Sequence, residues 1–577
     1  MKRIIYILML VAGLIAQYGC SDFLEADNKS NVTSSEYFNT ESGFETLVTY
    51  AYAQLKSLHG RTPTMYCSGT DLYHKGRNEM PDAGLQAYSA LTPEDGTVSS
   101  FYTRCYEGIQ AANCVLYYAE TVDGREDIIA LRSAEARFIR ALYYFEMVQQ
   151  FGGVALVKEY VNSIVTEVPR NSTQEVYDYI ITELEALAAD DSPLPDTDLD
   201  GRVSKQAVYH YLAKAYLTAA WDLDNSSYFN EAAKYAEKAI ALGSGLDESF
   251  ESLWDPTKDN THQEVIFAIQ YDRTASTGAG LPESADNTVD GGNNFQSTFG
   301  SYYGGSDQGF KNSSSNFIPS ERLTSLFVEG DSRYEATFMT KLYCTDEAEP
   351  RNSGDYYAPY NGNAADRFVA FYYPPAYKSS TDNIAAWRAE DPAHRTNTIV
   401  IPLASNTFRT DGVTACSYYD AATLDVFGIT CVRKYDDPAS SYGGSTCYRD
   451  VVLARLGETY LIAAEAYLKA GQQGKADEMV NVVRERAFRG SSVSYEKANV
   501  TIDDILSERA LELTAECHRW TDLRRTKKLV AYNVAYNPEL EGENSFIGND
   551  GNQKLYRPIP QSAIDLNTAE INQNQGY

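Results

Sequence analysis

The sequence predicts a mainly α-helical protein, in which tetratricopeptide-like helical repeats form a scaffold that carries a loop-rich, irregular lobe. Apolar residues recur at helical spacing from about Ser42 to Leu242 and again after Asp450. Between these stretches Gly, Ser, Asn and Pro are frequent and helical periodicity is weak. Because a long segment with little periodicity must pack against something ordered, we expect the helical repeats to support it.

Periodicity, more than length, decides how the chain is divided. We predict a signal peptide (1–19), a lipidated tether (20–40), an amino-terminal helical repeat region (41–245), a loop-rich lobe (246–450) and a carboxyl-terminal helical region that completes the scaffold (451–577). Within the lobe, the stretches Glu264 to Tyr271 and Thr398 to Leu403 are predicted to be short strands.

The amino-terminal residues have the layout of a secretory signal peptide. Two basic residues precede an apolar run from Ile4 to Ala16, which is shorter than the roughly 20 residues of a membrane-spanning helix. This length disfavours the alternative of a membrane anchor. A small residue directly before Cys20 predicts lipidation of that cysteine. Cleavage without lipidation stays an alternative, because Gln17 and Tyr18 depart from the usual lipoprotein pattern.

The formal net charge of the chain is −31. Such an excess of acidic residues repels the phosphate groups of nucleic acids and of anionic lipids over much of the surface. Nucleic acid is therefore excluded as an expected partner.

The chain has nine cysteines, and lipidation of Cys20 would leave the others in an exported, oxidising setting. Disulfides are allowed there, but their connectivity does not follow from the sequence. Cys105 and Cys114 are nine residues apart on one predicted helix, so they point to nearly opposite faces and should not pair with each other. Buried free thiols are the alternative.

Helical faces are clearest in the first half of the chain. One face is marked by apolar residues at steps of four, three and three, namely Phe138, Leu142, Phe145 and Val148. Two later helices, through Val208 to Ala219 and from about Phe229 to Leu242, carry alanines where they must pack closely. This pattern is typical of a tetratricopeptide unit.

The same arrangement recurs near the carboxyl end. A helix through Leu453 to Tyr467 ends at Gly471, and a partner helix from Lys475 to Phe488 follows. The sequence therefore predicts another helical pair there, which completes the scaffold.

A further helix is predicted to begin at Thr501, a good capping residue with Asp504 three positions later. Its apolar stripe runs through Leu506, Ala510, Leu513, Cys517 and Trp520, which predicts one continuous helix. Its polar side carries Glu508, Arg509, Glu512, Glu516, Arg519, Asp522 and Arg524. We favour a lattice of ion pairs between helices over a catalytic cluster as the role of these charges.

Five separated segments resemble the SusD/RagB family of outer-membrane nutrient-binding lipoproteins, and the resemblance runs along nearly the whole chain. They are Cys20 to Glu25; Arg137 to Phe145 with Phe151 to Gly153; Gly201 to Lys205 with Leu212 to Tyr216; Glu508 to Glu512 with Arg519, Trp520, Asp522 and Leu523; and Pro558 to Pro560 with Gln573 to Tyr577.

The resemblance implies four tetratricopeptide-like units and a lipid anchor in the outer membrane, with the protein facing the cell exterior. It also implies a role. Members of the family capture an oligosaccharide or polysaccharide and deliver it to a SusC-type, TonB-dependent transporter.

Tyrosine is unusually frequent, at 45 of 577 residues. A tyrosine ring offers rigid apolar area for stacking on a sugar, and its hydroxyl offers a hydrogen bond. Tyrosines on helical faces are expected to fill the core, whereas some of those in polar runs of the lobe are expected to face a ligand. The lobe tyrosines are Tyr302, Tyr303, Tyr356, Tyr357, Tyr360, Tyr372 and Tyr373, of which Tyr302 and Tyr303 are our predicted contacts.

A second predicted binding region is the interruption between helices from Gly69 to Arg77. Because family members place ligand contacts there, the resemblance nominates Asp71, His74 and Arg77, together with Tyr102 at the start of the helix that follows. Helix capping by Asp71 and a surface position for His74 are the alternatives.

The segment Asp196 to Gly201 imitates the first half of a calcium-binding loop, but Ala207 stands where the closing Glu is expected. We favour a solvated turn between helices. No cofactor is predicted, and a structural calcium ion elsewhere in the fold stays an open alternative.

Motifs of zinc hydrolases, serine hydrolases and nucleotide-binding loops are absent from the sequence. We therefore predict a binding protein and not an enzyme. A surface glycosidase is a remote alternative, since it needs only two carboxylates about 5–10 Å apart. A repeat scaffold that binds only protein or peptide cargo is the other alternative.

Overall fold

The computed structural model describes residues 34–60, 63–76, 82–246, 248–258, 262–272, 292–300, 303, 308–311, 313, 316–402, 427–439 and 446–577. Cys20 and the predicted signal peptide lie outside these residues. Among the described helices, none combines the length and the apolar character that crossing a membrane requires.

Helices dominate the first part of the described chain. In order they are α1 (Ser34–Phe38), α2 (Glu41–His59), α3 (Thr64–Cys67), α4 (Ala83–Ala87), α5 (Gly96–Ala119), α6 (Glu126–Phe151), α7 (Thr173–Leu187), α8 (Lys205–Asp222) and α9 (Tyr228–Ala241), with strand β1 (Tyr73–Lys75) between α3 and α4.

The described residues in the middle of the chain form short elements. They are α10 (Phe250–Leu253), β2 (Val265–Ile269), α11 (Phe295–Thr298), β3 (Phe317–Pro319), α12 (Glu321–Ser325), α13 (Arg333–Thr337), β4 (Lys341–Cys344), β5 (Phe368–Tyr372), α14 (Thr381–Glu390), α15 (Pro392–Arg395) and β6 (Ile399–Val400), with single 3₁₀ turns at Ala364–Asp366 and Ala376–Lys378. The two strands predicted in the lobe are confirmed as β2 and β6.

The carboxyl-terminal part is helical again. It contains β7 (Val451–Arg455), α16 (Leu456–Lys469), α17 (Gln473–Ala487), α18 (Ile502–Glu512), α19 (Arg519–Arg525), α20 (Leu529–Tyr536), a 3₁₀ turn at Glu543–Phe546 and α21 (Gln561–Asp565).

The long helices pack as consecutive pairs, α2 with α5, α6 with α7, α8 with α9, and α16 with α17. α9 also packs against α16, so the carboxyl-terminal pair continues the row that the amino-terminal helices begin. The predicted mainly helical, repeat-like scaffold is therefore confirmed. The predicted pairs correspond to α8 with α9 and α16 with α17, with bounds that differ by a few residues.

Small residues allow the close helix packing. On α9, Ala232, Ala236 and Ala239 are fully buried. On α5, a Cβ added to Gly108 would lie 2.1 Å from Cζ of Tyr143 on α6. Only a glycine therefore lets α5 approach the Tyr143 ring this closely.

The predicted helix through Trp520 is interrupted, and the prediction of one continuous helix is wrong. α18 begins at Thr501 with the expected capping box, but it ends at Glu512. Ala515 and Cys517 both have a φ of +66°, which no α-helix accommodates. Tertiary contacts hold this turn, because the Ala515 N–H donates to the Tyr73 hydroxyl at 2.7 Å.

Within the described residues, three small sheets join distant parts of the chain. β1 pairs antiparallel with β3, placing Tyr73 opposite Pro319 and Lys75 opposite Phe317. The β1 pairing ties the predicted binding region near Gly69 to the lobe. β2 pairs antiparallel with β7, which leads directly into α16, and β4, β5 and β6 form the third sheet inside the lobe.

Candidate functional site

Asp71, predicted as a ligand contact, lies in the core. Its two carboxylate oxygens accept hydrogen bonds from Nε and Nη2 of Arg519, each at 2.7 Å. The Asp71 side chain is fully buried. This ion pair gives Asp71 a structural role, which differs from both the ligand contact and the helix cap that the sequence suggested.

His74 is also buried, on β1. Burial lowers the pKa of its imidazole to about 4, so the ring is neutral near pH 7. The alternative of a surface position is therefore wrong. Arg77, the third residue nominated in this region, lies outside the described residues.

The described lobe tyrosines mostly fill the lobe's own core. Tyr303 is fully buried; its hydroxyl accepts a hydrogen bond from the Cys431 N–H at 2.9 Å, and its ring stacks on Phe427. Tyr356 donates to the Asp436 carboxylate. The prediction that Tyr303 contacts a ligand is wrong, because its ring has no face open to solvent. Tyr302 lies outside the described residues.

Tyr102 lies in an open cavity of about 680 Å³. We call this cavity the aromatic groove and define it by Tyr50, Tyr102, Tyr106 and Tyr160, together with the buried floor residues Leu47, Ile109 and Ala111 and the rim residue Leu566. Its size falls in the range of cavities that hold small ligands.

Helical spacing on α5 builds one wall of the aromatic groove. Tyr102, Tyr106 and Ile109 follow at steps of four and three, so they share a face. The rings of Tyr102 and Tyr106 lie 5.1 Å apart, and Tyr102 meets Phe151 edge to face at 5.2 Å. These contacts fix the two tyrosine rings before any ligand arrives.

Other elements supply the remaining walls. Tyr50 on α2 is 54% exposed, and Leu566, just after α21, is 80% exposed. Tyr160, in the segment after α6, is held beside the groove because the neighbouring Val161 carbonyl accepts a hydrogen bond from the Gln110 side chain at 2.8 Å. The groove is therefore assembled from four distant segments.

Polar groups line the rim of the aromatic groove. Thr103, Glu107 and Ser562 are exposed and line the cavity. Burial raises the pKa of the Tyr102 and Tyr106 hydroxyls, which keeps them neutral near pH 7. Fixed ring faces beside neutral and acidic hydrogen-bonding groups suit a ligand with both apolar faces and hydroxyls.

The sequence predicted Tyr102 but not Tyr50, Tyr160 or Leu566. A signal for Tyr50 was present, since this aromatic residue falls outside the buried stripe of Leu47, Ala51 and Leu55 on α2. Tyr160 and Leu566 lie in irregular segments, where periodicity gives no signal.

A second cavity, of about 700 Å³, lies within the lobe, next to α10. It is more polar, and its Tyr360 ring is covered by the Arg433 guanidinium, 5.1 Å from the ring centre. Tyr360 also donates to the Asp436 carboxylate at 2.9 Å. This polar cleft offers hydrogen bonds, but the guanidinium occupies one face of its tyrosine.

The charged side of α18 and α19 forms the predicted lattice of ion pairs. Glu512 accepts hydrogen bonds from Arg333 at 3.0 Å, from Arg455 at 2.6 Å and from Arg486. These arginines hold the pKa of Glu512 well below its usual value. Because the members are buried and paired, the lattice joins α13, β7, α17 and α18, and the ion-pair prediction is confirmed.

The segment Asp196 to Gly201 forms a tight turn. The Asp198 carboxylate accepts hydrogen bonds from the backbone N–H groups of Asp200 and Arg202, at 2.8 and 2.9 Å. Across the part of the chain that the structure describes, no group of three or more His, Cys, Asp and Glu side chains is arranged to hold a metal ion.

Two family models match the chain. One, described as the SusD family, matches residues 263–577. The other, described as starch-binding and associating with the outer membrane, matches residues 22–217.

Similar proteins come from Formosa agariphila and from Bacteroides species. The chain is 24% identical to SusD-like protein P2 of Formosa agariphila, over 99% of both chains. It is 24% identical to the starch-binding protein SusD of Bacteroides thetaiotaomicron, over 80% of this chain and 76% of that one. Among solved structures, surface glycan-binding protein A from Bacteroides thetaiotaomicron in complex with laminarihexaose superposes with a TM-score of 0.64 at 19% identity, covering 93% of this chain and 100% of that one.

Proposed function

Because the chain belongs to the SusD family, we propose that it captures a glycan outside the cell and delivers it to a SusC-type, TonB-dependent outer-membrane transporter. The names of similar proteins support a glycan as the ligand. They include a starch-binding protein, a laminarin-binding protein and a complex with laminarihexaose. The glycan bound by this chain need not be any of these.

The observation that carries the proposal is the aromatic groove. Tyr102 and Tyr106 present fixed rings, and Tyr50 on α2, which also lines the groove, is 54% exposed. Sugar rings bind such faces through their C–H groups, while their hydroxyls bond to side chains like Glu107 at the rim. We therefore place the glycan between α2 and α5, in contact with Tyr102.

Lipidation of Cys20 completes the proposal. The second family model, described as associating with the outer membrane, supports this location. An acyl chain on Cys20 would hold the scaffold at the membrane surface through the polar residues that follow. The scaffold would then sit beside its transporter, with no need for a spanning helix.

In this proposal the protein binds the glycan and does not hydrolyse it. Glycoside hydrolysis requires two carboxylates flanking one bond. Among the described residues that line the aromatic groove, Glu107 is the single carboxylate. A glycan held there would meet one acidic group and lack the second.

A peptide cargo is the second candidate, favoured by the apolar part of the same groove. Leu47, Val157 and Leu566 line it and suit an apolar side chain as well as a sugar face. The binding experiment below distinguishes a glycan from a peptide cargo.

Affinity electrophoresis of residues 21–577, the chain without its signal peptide and Cys20, through plant, host and microbial polysaccharides tests the proposal. We expect retardation by one class of glycan, with no new reducing ends in the same mixtures. Retardation by none of them, with binding of peptides instead, would favour the peptide cargo. Release of reducing ends would contradict the proposal of binding without cleavage.

A further inference from the structure

Two cysteines from distant parts of the chain meet inside the scaffold. Cys67 is the last residue of α3, and Cys517 lies in the turn between α18 and α19. The two thiols interact with each other, and both residues line the same small internal cavity. In the structure both are free thiols.

Contacts on both sides of Cys517 hold the two segments together. The Ala515 N–H donates to the Tyr73 hydroxyl at 2.7 Å, and Arg519 forms its two-pronged ion pair with Asp71. The segment that follows Cys67 is therefore fixed against the segment that contains Cys517. The contacts on either side of Cys517 therefore place the two thiols next to each other.

The backbone at Cys517 is strained. Its φ of +66° lies in the left-handed region, which residues with a Cβ rarely adopt. Ala515 has the same φ. Strain of this kind persists only where surrounding contacts hold the backbone, and here the contacts of Ala515 and Arg519 hold it on both sides of Cys517.

We propose that Cys67 and Cys517 form a disulfide when the chain folds outside the cytoplasm, joining the first and last parts of the scaffold. One S–S bond forms between the two sulfurs, while the S–S bond of an exchange partner, a dithiol–disulfide oxidant of the cell envelope, is broken. The two cysteines give up two protons and two electrons, and the oxidant leaves as a dithiol.

The disulfide forms during folding and not afterwards. Burial raises the pKa of the Cys517 thiol well above its usual value, so little thiolate exists once α3 and α19 have packed. The cross-link closes a loop of about 450 residues, and closing so long a loop restricts the unfolded chain strongly.

Peptide mapping of the exported chain tests this pairing. The mature chain is secreted to the periplasm, denatured in N-ethylmaleimide and cut with trypsin without reductant. Cleavage after Arg and Lys releases Cys67 in peptide 62–75 and Cys517 in peptide 510–519, each with that cysteine alone. We expect these two peptides linked to each other, and separated once a reductant is added.

Matched variants test whether the cross-link is specific to Cys67 and Cys517. Cys114→Ser, which removes a half-buried thiol on α5, should leave the linked peptides unchanged. A reductant should lower the melting temperature of the native chain by about 2–5 °C and leave that of Cys67→Ser unchanged. Recovery of both peptides singly, each carrying N-ethylmaleimide, or of either one joined to another cysteine, would overturn the proposal. The mapping uses the native chain, so it decides the matter even where Cys67→Ser does not fold.

Discussion

Arg519 donates two hydrogen bonds of 2.7 Å to the Asp71 carboxylate, although 448 residues separate the two in the sequence. Arg519 begins α19, and Asp71 lies between α3 and β1. Both side chains are buried, so the ion pair locks the carboxyl-terminal helices onto the amino-terminal part of the chain.

Replacing Asp71 with Asn should destabilise the fold without acting on the aromatic groove. The change leaves the Arg519 guanidinium buried without its counter-charge, which costs about 3–5 kcal/mol. Urea unfolding followed by circular dichroism measures the loss. The control is Asp224→Asn, which removes an exposed ion pair with Lys527 and should cost less than about 1 kcal/mol. Equal losses in the two variants would show that the buried ion pair contributes no more to the free energy of unfolding than the exposed one.

Glu512→Gln should be among the most damaging single changes in the scaffold. Three arginines converge on this carboxylate, and Gln cannot balance their charge. We expect a loss of about 3–5 kcal/mol in the free energy of unfolding. Glu231→Gln, in a surface pair with Lys234, is the control, with an expected loss of less than about 0.5 kcal/mol. A Glu512→Gln variant as stable as this control would contradict the lattice.

Two glycines on α5 make a matched comparison. Gly108→Ala places a Cβ 2.1 Å from Cζ of Tyr143, so α5 must move away from α6, at a cost of about 1–3 kcal/mol. Gly96→Ala, at the start of the same helix, meets no atom within 4 Å and should be neutral or slightly stabilising. Thermal melts of the two variants check this order, and the reverse order would refute the close packing.

Stability should fall with pH below about 6.5, partly through His59. Burial lowers the pKa of His59 to about 3, whereas an unfolded histidine has a pKa of about 6.5. Between these values the unfolded chain binds a proton that the folded chain does not. The folded state therefore loses up to about 1.4 kcal/mol for each unit that the pH falls. Urea midpoints from pH 7 to pH 5 should show a shallower fall for His59→Gln, and an equal fall would contradict this assignment.

Local patterns in the sequence were enough to predict the scaffold. The alanines of α9 and the apolar face of α6 predict helices that pack closely, and both faces are buried as expected. The break after Glu512 was hidden, because Leu506, Ala510 and Leu513 keep helical spacing up to it. What ends α18 is contact with distant residues, among them Tyr73, and no local pattern encodes such contacts.

The candidate site was predictable only in part. Tyr102 was nominated from its position near an interruption between helices, but the groove around it needs Tyr50, Tyr160 and Leu566 from separate segments. The prediction for Tyr303 in the lobe failed because contacts with distant segments decide whether a ring is exposed. Tyr303 lies in a polar, aperiodic run, yet strands and loops from elsewhere in the chain close over it.

Calorimetric titration of the retained glycan into the Tyr102 variants tests the central claim most directly. Tyr102→Ala should weaken binding about tenfold, because a stacking face is lost, whereas Tyr102→Phe, which keeps the ring, should lose less than about threefold. Tyr536→Ala removes an exposed tyrosine on α20 that does not line the groove, and it should bind as the native chain does. Native affinity in Tyr102→Ala, in a chain that still binds the glycan, would contradict the placement of the glycan in the aromatic groove.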